Sequence, residues 1–469
     1  MNNSKIIKIL NKLSKDEFKL LDKFVISPVH NRHQGVIDLF RYLKKHLIGK
    51  EEWLHKEKIF EQLFPKQDYE AQKLHYVNSY LLKVVEEFLA WQEWKSDKVS
   101  QQIYLIQSYN KHGLGQPVQK SFEQAVSLQQ KLPFRNANYF WQKYQLHFGQ
   151  INYYRTLGRN VDFNLQEFSE LLDTSFIAEK LKSSCAMISH QAVTKKSYNM
   201  GLLSAILTFV EQEKLLTEPA IATYYYAYKA LFDTEEISYF YQLKEQLLQH
   251  GEKFTTTELR DLYLLSINFC IKRWNKGDLA IMEEIFELYK AGLKVEVYLE
   301  YGILSRWTYN NIIIAGLLRK EYDWVEEFIN DYAQLLPEKY REGSYNFNLA
   351  KYYYEIGDYK QAMLLLRQME YDDLFHNMGA KIILAKIYYE QSEIEALDNL
   401  IKSAQAFIHR KKVLGYHKEV YLKIFGLLKK LMNINTYDKA ALTQLKIEIT
   451  NAKQLPEKEW LVEQVDKLS

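Results

Sequence analysis

Glycine and proline are scarce in this 469-residue chain, which contains 17 glycines and 7 prolines. Both counts lie well below average usage, and they leave little of the turn chemistry that a β-rich fold requires. The prolines all fall between periodic apolar segments, where proline marks the ends of helices. We therefore predict an all-α protein.

Long apolar runs and paired cysteines are also lacking. The longest apolar run, from Ile312 to Leu318, has seven residues, whereas a helix that crosses a bilayer needs about 20. The two cysteines, Cys185 and Cys270, form no paired pattern, and no apolar leader segment follows Met1. A reducing cytoplasm suits such a chain. We expect a cytoplasmic protein without a membrane partner.

Sequence motifs for catalysis, cofactors and metals are missing as well. The chain has no glycine-rich phosphate loop, and neither cysteine has a neighbour at zinc-site spacing. His30 and His33 stand three residues apart near Pro28 without a nearby acidic pair, so we interpret them as turn and capping residues. Cys185 and His190 are five residues apart on one predicted helix and do not share a face. The sequence predicts a protein that is not an enzyme and uses no cofactor or metal ion.

What the chain does contain is a repeat with a period of 35 residues near its C-terminal end. Three similar apolar segments begin at Ile314, Leu349 and Leu384. A short break follows each segment at the same distance, at residues 322–324, 357–359 and 392–394. A period of this length, built from two helices and a tight turn, is typical of a helical solenoid, in which units stack to bury their apolar faces.

The second repeat explains its own spacing. Leu349 and Tyr353 stand four residues apart and so share one helix face. Gly357 lets the backbone leave that helix, and Asp358 can cap the next one. Ala362 supplies a small side chain where the two helices cross closely. Each position therefore has a role in a helix-turn-helix unit.

With its small residue, aromatic residue, Gly-Asp-aromatic turn and alanine in register, this segment resembles the tetratricopeptide repeat. The third repeat departs from the pattern with Leu397 at the alanine position, and the first departs with Glu327. The resemblance covers about 110 residues. It implies an α-α superhelix, a solenoid of paired helices, with an N-terminal helical module as its cap.

We predict four parts in the chain. They are an N-terminal helical module (1–95), degenerate helical hairpins (96–299), repeats of tetratricopeptide type (300–410) and C-terminal capping helices (411–469). In the first part, Ser14 and Glu17 have the form of a capping box before an apolar run. With residues 13–18 and Ser27-Pro28 before a predicted helix that ends at Lys45, this part also resembles Bacteroidetes proteins that carry such helical arrays, a similarity that implies no activity.

The resemblance to tetratricopeptide repeats also implies a site. In that family the first helix of each pair lines a concave groove, in which partner peptides lie. The matching outward positions include Ile312, Phe347 and Ile382. The residues that we predict to bind a partner are Arg319, Lys320, Lys351, Tyr354, Lys386 and Tyr389. Lysines at equivalent repeat positions suit a carboxylate or an acidic peptide, so the implied function is a scaffold for a protein or peptide partner.

An alternative for the two lysines is a local ion pair. Glu355 and Glu390 follow Lys351 and Lys386 by four residues, a spacing at which side chains pair on an exposed helix face. In that case the lysines would be solvated and would have no role in binding.

The charge distribution offers a second function. Residues 1–50 carry eleven Lys/Arg against four Asp/Glu, residues 401–469 carry thirteen against seven, and the middle is acidic. Basic ends could bind nucleic acid, pair with the acidic middle, or simply be solvated. The candidates for phosphate contacts are Lys5, Lys8, Lys12, Lys15 and Lys19 at one end, and Arg410, Lys411, Lys412 and Lys418 at the other. The sequence specifies neither the partner nor the oligomeric state.

Overall fold

The computed structural model describes residues 4–48, 55–158, 161, 163–194, 196–368, 374–410, 417–452, 455 and 457–468. Over these residues the chain forms 23 α-helices and one two-stranded hairpin, which confirms the predicted all-α class. Among the described helices, none is both long enough and apolar enough to cross a membrane.

The helices are numbered in chain order. They begin with α1 (Lys5–Leu10), α2 (Lys15–Ile26), α3 (Gln34–Ile48), α4 (Lys56–Leu63), α5 (Ala71–Ser96), α6 (Lys98–Lys111), α7 (Gly115–Gln130), α8 (Ala137–Leu157), α9 (Leu165–Thr194), α10 (Leu203–Gln212), α11 (Pro219–Phe232) and α12 (Ser238–His250). They continue with α13 (Thr256–Trp274), α14 (Met282–Lys294), α15 (Arg306–Leu318), α16 (Tyr322–Tyr332), α17 (Glu338–Glu355), α18 (Tyr359–Gln368), α19 (Leu374–Glu390), α20 (Ile394–Arg410), α21 (His417–Asn433), α22 (Lys439–Thr450) and α23 (Lys458–Leu468).

The chain divides into two compact units. The first comprises Met1–Leu181 with Glu218–Ile221, and the second comprises Lys182–Thr217 with Ala222–Ser469. The division falls within α9 and so differs from the boundaries at 95 and 300 that the sequence suggests.

In the first unit, helices α1 to α5 share one apolar core. Its buried members include Leu21, Leu39 and Phe88, which come from three different helices. The predicted capping box is confirmed: the Glu17 amide donates to Ser14 Oγ at 3.2 Å, and the Ser14 amide donates to Glu17 Oε2 at 2.7 Å. Two amides that an isolated helix would leave unpaired are thereby satisfied, which fixes the start of α2.

Helix α9 is longer than the sequence pattern indicates. The pattern predicts two helices, 160–173 and 175–198, whereas the structure has one helix of 30 residues. The polar stretch at the expected break contains neither glycine nor proline. Instead, the Thr174 hydroxyl donates to the Glu170 carbonyl inside the helix at 2.8 Å, and Ser175 donates to the carbonyl of Ala137 at 3.3 Å. These bonds satisfy the polar side chains without ending the helix.

A short β-hairpin stands before the first repeat, where the sequence pattern predicts the beginning of a helix. Strand β1 (Leu299–Glu300) pairs antiparallel with β2 (Ile303–Leu304). Between them Tyr301 and Gly302 have φ angles of 53° and 76°. Two consecutive positive φ angles are those of a type I′ turn, which connects paired strands and cannot continue a helix.

In the second unit, the helices of the repeat region contact one another in a regular order. Helix α15 contacts α16 and α17, and α17 in turn contacts α18 and α19. The second helices of the pairs, α16 and α18, also contact the first helix of the next pair. The predicted small residue is buried at such a crossing: Ala362 is fully buried among Phe347, Ala350 and Ile387. Each pair therefore covers the apolar face of the next.

Close packing in this region depends on a glycine. Gly316 lies in α15, and a Cβ atom added there would stand 2.4 Å from Val325 Cγ2 and 3.3 Å from the ring of Phe286. Helices α14, α15 and α16 meet at this point. The missing side chain allows them to approach.

We predict that Gly316→Ala lowers the free energy of unfolding by about 1–3 kcal/mol, because the extra methyl group overpacks the core. The matched control is Gly426 in α21, where an added Cβ meets nothing within 4 Å. Gly426→Ala should raise stability by about 0.5–1 kcal/mol through helix propensity alone. Urea unfolding followed by circular dichroism measures both. A stabilising effect of both substitutions would contradict the close approach at Gly316.

Candidate functional site

Four of the six predicted partner-binding residues come together in the second unit. Lys351 and Tyr354 lie on α17, Lys386 and Tyr389 lie on α19, and these two helices are neighbours. The 35-residue period places the two lysines at equivalent positions of successive repeats, and likewise the two tyrosines. The C-terminal helix α23 joins them, and we call the resulting set the α17–α19–α23 cluster. Its members are Lys351, Tyr354, Glu355, Tyr359, Lys386, Tyr389, Glu390, Glu457 and Trp460.

Lys386 is the buried cation of the cluster. Only 6% of the residue is exposed, and its Nζ lies 2.5 Å from Glu457 Oε2. The ammonium also stands 4.4 Å from the ring centre of Tyr354 and 5.5 Å from that of Trp460. A buried ammonium needs such compensation, and here one carboxylate and two aromatic faces replace water.

Glu390 is the acceptor of the cluster. Its carboxylate accepts hydrogen bonds from the hydroxyl of Tyr354 at 2.8 Å and of Tyr359 at 2.6 Å. The indole Nε1 of Trp460 donates to the same carboxylate at 2.5 Å. Burial and the bond to Glu390 raise the pKa of Tyr359 to about 12, and they raise that of Tyr354 further. Both hydroxyls therefore remain donors over the whole physiological pH range.

The ammonium group of Lys351 is less hydrated than it would be on the exposed helix face that the sequence allows. Its Nζ donates to Asn310 Oδ1 on α15 at 2.7 Å and stands 4.5 Å from the ring centre of Phe347. Loss of hydration lowers the pKa of Lys351 to about 8, against the opposite influence of Glu457 and Glu355. A neutral amide thus provides its direct hydrogen bond, and two carboxylates act on it from farther away.

Tyr389 contributes an aromatic contact. Its ring packs edge-on against Trp460, with centres 5.7 Å apart and an angle of 77° between the planes. Burial raises the pKa of its hydroxyl. The indole is thus held from two sides, by Tyr389 and by the bond to Glu390.

The other two predicted residues lie outside the cluster, at the turn that follows α15. Arg319 is exposed and pairs with Glu283 on α14. Lys320 is exposed with a φ of 59°. Its charge acts on Glu355, whose pKa is raised by loss of hydration and by the nearby Glu457 and Glu390, while Lys386 and Lys320 oppose the rise.

The prediction that the groove-facing positions point outward is wrong for the apolar ones and for Lys386, which is also buried. Ile312, Phe347 and Ile382 are 0%, 4% and 5% exposed. They face neighbouring helices, and Ile382 shares an apolar cluster with Leu461 and Val465 of α23. Packing against the next helix covers these positions, because each apolar face needs a partner.

The predicted local ion pair for Lys386 is also absent. Its carboxylate partner is Glu457, 71 residues away, whereas Glu390 binds the donors of two tyrosines and a tryptophan. Sequence reasoning missed Glu457 and Trp460 entirely. Both fall outside the 35-residue repeat, and no local pattern connects them to it.

The basic residues at the two ends belong to different units. Lys5 pairs with Glu86 at 2.6 Å, and Lys19 pairs with Asp16 at 2.9 Å. Further along, Arg410 donates to the carbonyl of Ala406 at 3.3 Å. The remaining candidates are Lys8, Lys12 and Lys15, which are exposed, Lys418, which is half-buried, and Lys411 and Lys412, which lie outside the described residues.

The histidine and cysteine candidates occupy structural positions. His30 stacks on Phe24 with ring centres 3.7 Å apart and contacts Glu87 at 2.9 Å. Both Cys185 and Cys270 are buried, and burial raises the pKa of each thiol. Within the described ranges, no three His, Cys, Asp or Glu side chains converge as metal ligands would.

Neither a protein-family model, nor a curated protein, nor a solved structure matches this chain.

We predict an asymmetry between the two halves of the Lys386–Glu457 pair. The Lys386 side chain is 7% exposed and that of Glu457 is 36% exposed. Glu457→Gln leaves a buried ammonium without its carboxylate and should cost about 2–3 kcal/mol of unfolding free energy. Lys386→Met leaves a carboxylate that reaches water, at a cost below about 1 kcal/mol. Urea unfolding of both variants measures the difference.

The control for this asymmetry is the exposed pair of Lys430 and Glu448, whose side chains are 2.7 Å apart. Glu448→Gln should change stability by less than about 0.5 kcal/mol. Equal costs for Glu457→Gln and Lys386→Met would contradict the burial of Lys386.

Lys351 predicts a pH dependence. Its pKa is about 8 in the folded chain, against 10.5 for an ordinary lysine. Between these values the unfolded chain binds more protons, so stability must rise with pH there, and below pH 8 the contribution is constant. The free energy of unfolding of Lys351→Met, minus that of the unchanged protein, should therefore decrease as the pH rises from 8 to 10.5. Urea unfolding at several pH values measures this difference, in which the tyrosine titrations cancel. A constant difference would contradict the lowered pKa.

Proposed function

We propose that this protein is a non-enzymatic cytoplasmic scaffold, an α-α superhelix of tetratricopeptide type, that binds an acidic protein or peptide segment. The proposed binding residues are the members of the α17–α19–α23 cluster on α17 and α19, namely Lys351, Tyr354, Lys386, Tyr389 and Glu390. One observation carries the proposal: two side chains of α19, the first helix of the third repeat, already hold a helical segment, through Lys386 to Glu457 and through Glu390 to Trp460. The segment comes from the chain itself, and the chemistry of the contact is that of a peptide-binding site.

The order of helix contacts supports the superhelical part of the proposal. The first helices of successive pairs, α15, α17 and α19, contact each other in turn. In a stack of paired helices this is the order that gives a continuous surface made of first helices. Lys351 and Lys386 lie on that series of helices, one repeat apart.

The charges of the cluster support an acidic partner with a hydrogen-bond donor. A buried ammonium such as Lys386 selects a carboxylate, because any neutral group would leave it uncompensated. Glu390 selects N–H or O–H donors for the same reason. Tyr354 and Tyr389 add rigid aromatic area, which is enriched where proteins bind one another. Such a site discriminates between partners because a partner without a matching group leaves the Lys386 ammonium or the Glu390 carboxylate unpaired.

The structure changes how the site must be tested. Replacing Lys386 by glutamate would place a third acidic group beside Glu457 and Glu390. Repulsion between these carboxylates would lower the stability of the fold. Lys386→Met removes the charge and keeps the apolar stem. Lys430→Met, at an exposed lysine of α21, is the matched control.

We expect affinity-tagged protein to retain specific protein partners from native lysate, and Lys386→Met to lose them by at least about tenfold, since a charged pair at a desolvated contact accounts for 2–5 kcal/mol. Lys430→Met should retain them. Nuclease treatment of a parallel sample tests the alternative, in which the basic ends bind nucleic acid. Partners that disappear with nuclease and ignore Lys386→Met would refute the proposed site.

A further inference from the structure

We propose that α23 is an internal ligand of the α17–α19–α23 cluster, and that the partner is a helical segment with an acidic residue three positions before a tryptophan, which binds by displacing α23. This inference rests on the proposed function and specifies the partner. Glu457, directly before α23, and Trp460, in its first turn, make the contacts that such a segment would make.

Two polar contacts define the recognition. Glu457 precedes α23 directly and pairs with Lys386, while Trp460 in its first turn donates to Glu390. Lys386 and Glu390 are four residues apart on α19 and lie along one helix face. Glu457 and Trp460 are three residues apart across the start of α23. The cation meets the acid, and the carboxylate meets the indole N–H. A partner segment needs the same two groups at the same spacing.

At a third position, α23 buries a polar group that lacks a hydrogen-bond partner in the part of the chain that the structure describes. Gln464, one turn after Trp460, is 5% exposed, and within the described residues its amide nitrogen has no hydrogen-bond partner. A buried amide without a partner weakens the association of the helix that carries it. A segment with an apolar residue at this position, seven after the acid, would bind more tightly than α23 does.

The backbone of the internal ligand is also unfavourable at its key residue. Glu457 has a φ of 57°, in the left-handed region that residues other than glycine seldom adopt. The residue that neutralises Lys386 is therefore held in a strained conformation, which relaxes when α23 leaves. Strain of this kind is typical of segments that switch between two states.

Opposing this, α23 is attached to the chain. It contacts α22, and its Leu461 and Val465 belong to the apolar cluster around Ile382. An attached ligand has a high effective concentration, so a free segment of equal affinity competes poorly with it. The binding-competent state is the fraction of molecules from which α23 is displaced, and the apparent affinity for a partner falls by that fraction.

The test uses a fluorescent peptide with the sequence of residues 455–468, measured by anisotropy against the full chain. Glu457→Gln/Trp460→Ala in the full chain removes both contacts of the internal ligand. We expect the peptide to bind this variant at least tenfold more tightly than the unchanged protein. Circular dichroism and thermal unfolding check that the variant remains folded. The Glu457→Gln variant alone, which keeps the indole, should show a smaller gain and serves if the double variant unfolds.

Three controls make the test specific. Lys386→Met added to the double variant should abolish the gain, because it removes the partner of the acid. A Glu457→Gln peptide should lose binding for the same reason. A Gln464→Leu peptide should bind more tightly than the natural sequence, because it removes the unpaired amide.

The inference is overturned if the peptide binds both chains equally or binds neither. It is also overturned if the double variant elutes as a dimer and the unlabelled peptide does not dissociate it, since that would make a second copy the occupant. The proposed function fails separately, when partner capture from lysate is indifferent to Lys386→Met although the peptide binds the opened chain. If capture depends on Lys386 and the peptide binds neither chain, the scaffold stands and the internal ligand does not.

Discussion

A helical pair cannot bury its apolar face alone, and the second unit of this protein follows from that constraint. Each pair covers the next, from α15 through α20, and the last pair needs a cover of its own. Helix α23 helps to provide it, with Leu461 and Val465 in the apolar cluster of α19 to α22. Lys386 belongs to the last repeat. The helix that completes the core therefore also covers this lysine, and its burial follows from its place in the stack.

Burial of a charge then determines the chemistry around it. The ammonium of Lys386 requires a carboxylate, and Glu457 supplies one. The carboxylate of Glu390 in turn collects three donors. The apolar packing of α23 therefore brings specific polar contacts with it. A buried ammonium or carboxylate is stable only beside a group of complementary charge or hydrogen-bonding capacity. The same requirement makes the internal contact with α23 hard to replace by a nonspecific one.

The sequence predicts the local features of this structure well and the distant ones poorly. The helices of the repeats, the capping box at Ser14 and the small Ala362 follow from spacing and local chemistry. The meeting of Lys351 and Lys386 in one cluster also follows from the 35-residue period. The contact with Glu457 joins residues 71 positions apart in sequence and obeys no periodicity. Its prediction would require the path of the chain after α20, which depends on the packing of whole helices.

The two cysteines have a consequence for how this protein meets reagents and oxidants. Cys185 lies on α9 and Cys270 on α13, both at 1% exposure or less, and burial keeps both thiols protonated. A thiol reagent acts on the thiolate and needs access to it. Alkylation of either residue therefore waits for the surrounding helices to open. The rate at which Cys185 and Cys270 are labelled therefore measures how often the helices around them unfold locally. A cysteine introduced at the surface would be labelled much faster than either of them.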